Sequence, residues 1–326
     1  MKKKIAIVLS VILVFATLFI TACGDKTPET NDNVLAQEII LGTGGSTGTY
    51  YGFCNVMATV LNEKVGTDIK VQSTGASKAN ILGVDDGSFD MAIVQNDVMD
   101  YAYNGTSLFE SNGAIKTFST LGAVYAEVCQ IIAKADSGIK TVADLKGKKV
   151  SVGDSGSGVE FNAIQILGAY DITFDDINKQ NLSFQASADA LKNGTIDAFF
   201  CTAGAPTTAI TDLATTTEIV VVEIDAAHLA KLQSEYGFYA EYTIPANTYA
   251  KVEKDAKTVA VKATFIVSNE LSEELVYNLT KAIYENTNEY THEKAKEMNF
   301  EYAASSISVP FHPGAEKYFK EVGAIK

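Results

Sequence analysis

The most informative stretch of this chain is ILGTGGSTGTYY, residues 40–51. An apolar run over residues 34–41 predicts a strand, and residues 50–64 have the apolar spacing of a helix. Glycine, serine and threonine fill the interval between them. Glycines let a backbone approach a ligand closely, and the free N–H groups of the following helix point into the same space. The stretch therefore predicts a strand, a binding loop and a helix, although a tight turn without a ligand has the same pattern.

The loop fails two nucleotide-binding patterns and satisfies one hydrolase pattern. Thr47 stands where the dinucleotide fingerprint needs its third glycine, and the Gly-Lys-Ser/Thr end of the mononucleotide motif does not follow. Residues 44–48 do match Gly-x-Ser-x-Gly, the nucleophile elbow of serine hydrolases. That fold supplies a strand and an oxyanion loop before its elbow, whereas this loop follows the first strand predicted for the mature chain. A secreted serine hydrolase with Ser46 as its nucleophile is the alternative to a binding protein.

The N-terminus has the pattern of an export signal. Lysines at positions 2–4 precede an apolar run over residues 5–20, which is short for a spanning helix. Residues 20–23, Ile-Thr-Ala-Cys, resemble a bacterial lipobox, which implies cleavage after residue 22 and acylation of Cys23. The alternative is an ordinary secretory signal in which Cys23 is incidental. Residues 23–37 predict a flexible tether, so we expect a lipid-anchored protein on the extracytoplasmic face of the bacterial cytoplasmic membrane.

The charge of the chain limits its partners. The formal net charge of −14 becomes −17 once lysines 2–4 leave with the signal. A chain with this negative charge is not expected to bind nucleic acid, and anionic lipids repel it. We therefore expect the lipid on Cys23 to attach the protein to the membrane. Every strongly basic side chain is lysine, because arginine occurs nowhere. A bidentate guanidinium clamp on a carboxylate is therefore unavailable, and amides, hydroxyls or a lysine have to hold an acidic ligand.

Length and cysteine usage bound the architecture. About 300 mature residues exceed one hydrophobic core, so two lobes are expected. Cys54, Cys129 and Cys201 are scattered rather than paired as metal ligands, and buried thiols are favoured, with a Cys129–Cys201 bridge left open. The three histidines form no zinc-protease motif. We therefore predict neither a metal nor a cofactor.

One unit of the sequence occurs twice. Residues 42–90 and 153–197 share the order Gly/Ser loop, helix, strand, helix, Gly-x-x-Asp, each following a strand and leading into another. Ligands of open α/β sheets bind beyond the carboxyl ends of the strands, so two such units facing each other bring both loops to one cleft. The pattern predicts an α/β fold of two doubly wound lobes joined by hinge strands, with the ligand cleft between them. Lobe I comprises residues 38–126 plus about 240–326, and lobe II comprises about 127–239.

Further apolar runs predict the remaining elements. Strands are expected at residues 118–125 and 128–133, with Glu127 between them, and a short strand at residues 182–184. Pro206 is placed to begin a helix. Residues 271–290 predict a long amphipathic helix.

Several strings resemble the TAXI class of extracytoplasmic solute receptors, which serve TRAP-type secondary transporters. They are Gly42-Thr43-Gly44, Gly48-Thr49-Tyr50-Tyr51, Thr74-Gly75-Ala76-Ser77 with Asn80, Gln95-Asn96-Asp97, Asp144-Leu145-Lys146-Gly147-Lys148, Gly156-Ser157-Gly158, Ile244-Pro245-Ala246-Asn247-Thr248-Tyr249 and Pro310-Phe311-His312-Pro313-Gly314-Ala315. The resemblance covers nearly the whole mature chain. It implies a type II periplasmic-binding-protein fold that closes on a ligand and docks on a membrane permease, with glutamate, glutamine and related dicarboxylates as family ligands. Asn96 and Asn247 depart from the family pattern, which has serine and glycine there.

The candidate ligand-binding residues lie in the two loops and at other strand ends. They are Gly45, Ser46, Thr47, Gly48 and Tyr50 in the first loop, Ser155, Ser157 and Gly158 in the second, and Thr74, Ser77, Gln95, Asp97, Glu127 and Thr202 elsewhere. Gln95, Asp97 and Glu127 offer acceptors for an ammonium group. Helix capping by Asp97 and a lysine partner for Glu127 are the alternatives. The sequence as a whole predicts a binding protein that catalyses nothing.

Overall fold

The computed structural model describes residues 37–326, so the predicted signal peptide, Cys23 and all of the predicted tether except residue 37 lie outside the described residues. The strands are β1 (Gln37–Gly42), β2 (Thr67–Gln72), β3 (Met91–Gln95), β4 (Phe118–Lys134), β5 (Lys149–Ser151), β6 (Asn178–Gln180), β7 (Ala198–Ala203), β8 (Ile219–Val221), β9 (Ala240–Ile244) and β10 (Ala256–Ser268). The α-helices are α1 (Thr49–Val65), α2 (Ser77–Asp85), α3 (Asn96–Asn104), α4 (Gly158–Ala169), α5 (Phe184–Lys192), α6 (Thr208–Thr216), α7 (Ala226–Glu235), α8 (Glu273–Glu285), α9 (Phe300–Ala304) and α10 (Pro313–Glu321). None of these helices is long and apolar enough to cross a membrane.

The strands form one mixed sheet in the order β2-β1-β3-β10-β4-β7-β5-β6, with β8 beside β4 and β9 beside β10. The long strands β4 and β10 pair antiparallel in the middle. A parallel trio lies on either side of them, with β3 next to β10 and β7 next to β4. The sheet is therefore two parallel α/β sets joined by one antiparallel pair.

The duplicated sequence unit has the same topology in both copies. We call residues 37–104, from β1 to α3, the first repeat, and residues 149–216, from β5 to α6, the second repeat. Each runs strand-helix three times, and the spatial order of its strands is second, first, third. The structure thus confirms the predicted α/β architecture.

The Gly-x-x-Asp segment of each repeat has a structural role. The Asp90 carboxylate accepts a hydrogen bond from the Ile40 N–H at 2.8 Å, and the Asp90 N–H donates to the Ile40 carbonyl at 3.0 Å. Asp197 and Lys149 form the same reciprocal pair in the second repeat, both at 2.8 Å. Each aspartate therefore fixes the chain before the third strand to the first strand.

The hydrophobic core follows the division of the sheet. Two clusters contain residues of the first repeat, one of them together with α8 and α10, and two others contain residues between 128 and 261. In the first cluster, Phe53 of α1 meets Tyr125 of β4 edge to face, with ring centroids 5.2 Å apart. Burying a side chain such as Phe53 contributes about 2 kcal/mol. Cys54, Cys129 and Cys201 are buried and free, so the Cys129–Cys201 bridge left open by the sequence is not formed.

One predicted pair of strands proves to be a single strand, and one predicted strand was wrong. Residues 118–125 and 128–133 belong to one continuous strand, β4, because Glu127 pairs with Val261 of β10 and the ladder is not interrupted there. Residues 182–184 are not a strand. The Ser183 hydroxyl accepts a hydrogen bond from the Ala186 N–H, so Ser183 caps α5, and the strand lies earlier, at β6.

The limits of two helices and of the tether also differ from prediction. The Ala205–Pro206 peptide bond is cis, and α6 begins only at Thr208, after Thr207. Helix α8 is shorter than the predicted helix at residues 271–290, because Ser272 caps its start and it ends at Glu285. Residue 37, assigned to the tether, is the first residue of β1.

Asn80 fixes the first Gly-rich loop to the sheet, and its loss is expected to destabilise the fold. Its buried amide donates to the Thr43 carbonyl at 2.6 Å and the Ile93 carbonyl at 2.8 Å, and its oxygen accepts from the Thr74 hydroxyl at 2.6 Å. Asn80→Ala leaves buried partners unpaired and should lower the free energy of unfolding by about 2–4 kcal/mol. Urea unfolding measures the change. Asn104→Ala, at an exposed asparagine, is the matched control, and a loss below about 1 kcal/mol for Asn80→Ala contradicts this role.

Candidate ligand-binding cleft

Three helix N-termini converge between the two repeats. The first turns of α1, α2 and α4 carry Thr49, Ser77 and Gly158, and all three residues line one cleft. The starts of α1 and α2 have no side-chain cap and no acidic residue in the first turn. At the starts of α1 and α2 the free N–H groups and the helix dipoles therefore favour an anion. The start of α4 differs, because Ser157 caps it and the Glu160 carboxylate accepts a hydrogen bond from the Gly156 N–H at 2.7 Å.

The cleft draws on both repeats and on the central strand. Its lining residues are Gly44, Gly45, Gly48, Thr49, Tyr50, Ala76, Ser77, Gln95, Glu127, Asp154, Ser157, Gly158, Val159, Phe184, Thr202 and Ala203. The set contains two carboxyl groups and no lysine or histidine. The cleft contains a cavity of about 40 Å³, measured as the volume open to the centre of a water molecule. One water molecule needs about 10–15 Å³ on this measure, so the cleft is narrow in this conformation and suits a small solute.

Glu127 lies at the bottom of the cleft as a buried acid. The Tyr50 hydroxyl donates a hydrogen bond to Glu127 Oε2 at 2.5 Å, and Glu127 is 2% exposed. Burial raises the pKa of Glu127 well above its ordinary value, and burial followed by the Glu127 charge raises the pKa of Tyr50. Burial therefore disfavours the charged form of the Glu127 carboxyl, and a nearby cation would favour it.

Gln95 reaches the cleft from the end of β3. Its backbone N–H donates to the Ser77 hydroxyl at 3.2 Å. Its side-chain oxygen has no hydrogen-bond partner, although the residue is only 2% exposed. The side chain lies directly against Gly158, where an added Cβ would come within 2.2 Å of Gln95 Oε1. Gln95 thus offers a free acceptor to a ligand, in a space that depends on glycine at position 158.

The two repeats touch each other around the cleft. The Lys78 N–H donates to the Gly156 carbonyl at 3.3 Å, and the Thr49 hydroxyl donates to the Gly204 carbonyl at 3.1 Å. Next to the cleft, the Tyr101 ring of α3 stacks on the Phe161 ring of α4, with centroids 5.7 Å apart and planes 10° from parallel. The structure therefore has the repeats closed on each other.

Most candidate residues from the sequence line the cleft, and five do not. Those that line it are Gly45, Gly48, Tyr50, Ser77, Gln95, Glu127, Ser157, Gly158 and Thr202. Ser46 and Ser155 are exposed at the tips of their loops, and Thr47 is half-buried outside the lining. The Thr74 hydroxyl is engaged with the Thr43 carbonyl and Asn80. Asp97 is buried beside Asn162 of α4, away from the lining.

Sequence reasoning missed several lining residues. Phe184 is the first residue of α5, and its ring lies 3.4 Å from where a Cβ on Gly48 would be. The prediction of a strand at residues 182–184 concealed this position. Asp154 lies in the second Gly/Ser loop, where only its serine and glycine neighbours were considered, and burial raises its pKa. Ser183 as a helix cap was the signal that could have placed Phe184.

The two departures from the family pattern lie outside the lining. The Asn96 side chain accepts a hydrogen bond from the Lys262 N–H of β10 at 2.9 Å. Asn247 adopts a left-handed conformation, with φ of 63°, which asparagine tolerates better than most residues. Asn96 therefore joins α3 to the sheet, and Asn247 serves a turn.

The structure gives no support to the hydrolase alternative. Ser46 is exposed and outside the cleft. The histidines are engaged elsewhere, since His228 contacts Asp225, His292 accepts from the Lys294 N–H, and His312 accepts from the Gly314 N–H. Within residues 37–326, no group of three or more histidine, cysteine or acidic side chains is placed to hold a metal ion.

Comparison with known families identifies the class. Residues 41–323 match the model of the NMT1-like family, and the chain belongs to this family. Its members are TAXI- and TRAP-associated solute-binding proteins with the type II periplasmic-binding-protein fold, in agreement with the resemblance found in the sequence. The protein is thus a non-enzymatic solute-binding protein of a transport system.

Solved structures show the same fold at low sequence identity. PhnD1 from Prochlorococcus marinus, in complex with methylphosphonate, has a TM-score of 0.55 and 10% identity, over 89% of this chain and 99% of that chain. The alkanesulfonate-binding protein SsuA from Xanthomonas axonopodis pv. citri, bound to MOPS, has a TM-score of 0.52 and 14% identity, over 87% and 83%. At these identities the likeness concerns the fold alone.

Glycine at position 158 is expected to be required for the closed contact. In Gly158→Ala the new methyl group overlaps the buried Gln95 side chain, so the unfolding free energy should fall by about 1–3 kcal/mol. Gly168→Ala is the matched control in the same helix, since nothing lies within 4 Å of its added Cβ, and it should be neutral or stabilising by about 0.5–1 kcal/mol. Urea unfolding compares the two. Equal stability for both variants would show that Gln95 does not occupy this space.

Proposed function

We propose that this protein is the lipid-anchored solute receptor of a TRAP-type transporter. It captures a small polar or anionic solute, with glutamate, glutamine or a related dicarboxylate favoured, and delivers it to a membrane permease. The carrying observation is the cleft between the repeats, where three helix N-termini face a buried carboxyl group and an unpaired amide oxygen. The family resemblance of the sequence supports the permease type.

The proposed mechanism is closure of two lobes about β4 and β10. Lobe I is residues 38–126 plus about 240–326, and lobe II is about 127–239. The long strands β4 and β10 continue from one side of the sheet to the other, which suits them as a hinge. A solute that contacts both sides stabilises the closed conformation through bonds made only there, and the permease then recognises the closed shape.

The polarity of the cleft favours a solute that carries both charges. The uncapped helix N-termini at Thr49 and Ser77 suit a carboxylate. Glu127 and the free oxygen of Gln95 suit an ammonium group, which would also return Glu127 to its charged form. Without a lysine in the lining, a second carboxylate has no counter-charge. Among the favoured solutes, glutamine therefore fits best, and glutamate, which has an amino group, fits better than a dicarboxylate without one.

A series of matched solutes tests this proposal. Glutamine and glutamate are expected to raise the melting temperature of the protein, because a solute at a hundredfold excess over its Kd adds about 2.7 kcal/mol to stability. Glutarate, which lacks the amino group, should raise it less. Differential scanning fluorimetry measures the shifts. If no small polar solute raises the melting temperature, the cleft is not a solute site.

Glu127→Gln separates the role of the acid from general effects on stability. It should weaken the binding of amino-bearing solutes by about tenfold or more, since a charge-assisted hydrogen bond contributes roughly 1.5–3 kcal/mol. Glu218→Gln is the matched control, because Glu218 pairs with Lys251 at the surface, away from the cleft. Calorimetric titration compares the variants, and equal weakening in both would remove Glu127 from the proposed site.

The lipid anchor has its own test. Cys23→Ala should shift the protein from the membrane fraction to the soluble fraction and abolish incorporation of labelled palmitate, because acylation needs this thiol. Cys54→Ala, which removes a buried thiol of α1, should leave both properties unchanged. Membrane attachment that survives Cys23→Ala would show that another element holds the protein to the bilayer.

A further inference from the structure

A second polar cluster joins the repeats outside the cleft. Asn162 of α4 donates from its amide to Asp97 of α3 at 3.2 Å and to the Tyr239 hydroxyl at 3.0 Å. Tyr239 donates to Gln165 Oε1 at 2.5 Å, and Gln165 donates to the Tyr101 hydroxyl at 2.6 Å. The chain of bonds begins and ends on α3 and passes through α4, so it exists only while the two repeats are in contact.

This cluster leaves two of its buried oxygen atoms without a hydrogen-bond donor. Asp97 is 1% exposed and Asn162 is 0% exposed, yet Asp97 Oδ1 and Asn162 Oδ1 both lack a hydrogen-bond partner. A buried oxygen without a partner destabilises the structure, and more so when it carries charge. A proton on the Asp97 carboxyl turns one acceptor into a donor and removes the buried charge. Such a proton therefore lowers the cost of burying the Asp97 carboxyl.

We propose that closure of the two repeats takes up a proton at Asp97, so that acid favours the closed conformation and alkali favours opening. Opening separates α3 from α4 and returns the Asp97 carboxylate to water. The significance of this coupling for transport rests on the proposed function, in which closure of the repeats retains the solute. The coupling itself concerns only the contact between the repeats and is measurable without a solute.

The surroundings of Asp97 agree with this proposal. Burial raises its pKa to about 7, against the opposing effect of the N–H groups at the start of α3 and of the Asn162 amide. Five titratable groups face the Asp97 carboxyl. Asp100 and Tyr101 lie on its own helix, Glu127 and Cys129 lie on β4, and Tyr239 immediately precedes β9. The Lys262 ammonium of neighbouring β10 is bound to oxygens of Tyr302 and Ser305.

The direction of the pH effect follows from the raised pKa. The closed conformation binds the proton on Asp97 more tightly than the open or the unfolded chain does. The stability that this proton adds to the closed conformation is therefore fully present below the ordinary pKa of aspartate, 3.8. That stability is lost as the pH rises through about 7. The ratio of closed to open protein should fall roughly tenfold for each unit of pH between about 5 and 7, and change little above that.

The test measures the unfolding free energy of the purified protein from pH 5 to pH 8.5, together with its radius of gyration by X-ray scattering. The wild-type protein should lose stability and expand as the pH rises. Asp97→Asn, which keeps the shape and cannot ionise, should remove this share of the pH dependence. Glu127→Gln measures the separate share of the other buried acid. A wild-type slope that persists in Asp97→Asn overturns the proposal.

Gly158→Ala connects the proton to closure. It leaves Asp97 and Asn162 in place but obstructs the contact of Gln95 with α4, so water should reach Asp97 and the pH dependence should shrink. Gly168→Ala should retain the wild-type slope. An unchanged slope in Gly158→Ala would show that Asp97 titrates without reference to closure. Neither readout uses a solute, so failure here leaves the proposed solute binding intact, and failure to find a solute leaves this coupling intact.

Discussion

The antiparallel pairing of β4 with β10 is the constraint on which the rest of the structure depends. β3 pairs with residues 263–267 of β10, and β7 pairs with residues 128–133 of β4. Because β4 and β10 run antiparallel, the carboxyl ends of the two parallel trios point toward each other. The helix N-termini that follow those ends are consequently brought face to face. Glu127, which pairs with Val261 where the trios meet, is carried into the space between them.

The electrostatics of the cleft follow from that arrangement. Backbone N–H groups supply its positive character, and two buried or half-buried carboxyls supply its acceptors, while no lysine belongs to the lining. Amides carry no net charge, so the part of the site that they form requires no charged group to be desolvated before a solute enters. The proposed recognition of a carboxylate therefore requires no arginine.

The repeat and its loops were predictable because glycine turns, apolar strands and an aspartate occur at matching spacing in both copies. In the structure that aspartate, Asp90 or Asp197, forms the same backbone hydrogen bonds in each repeat. Contacts between distant segments were not predictable. The space for Gln95 depends on Gly158, far along the chain, and no local pattern announces it. Asp97 lies only two residues beyond Gln95, yet the first turn of α3 directs it toward α4 and away from the lining.

The stacked rings of Tyr101 and Phe161 have a practical consequence. The chain contains 15 tyrosines and no tryptophan, so its fluorescence has no indole background. A single indole introduced at Phe161 would lie in a dry aromatic contact when the repeats meet and in water when they part. The protein thereby contains a ready position for an optical reporter that follows opening and closing in real time.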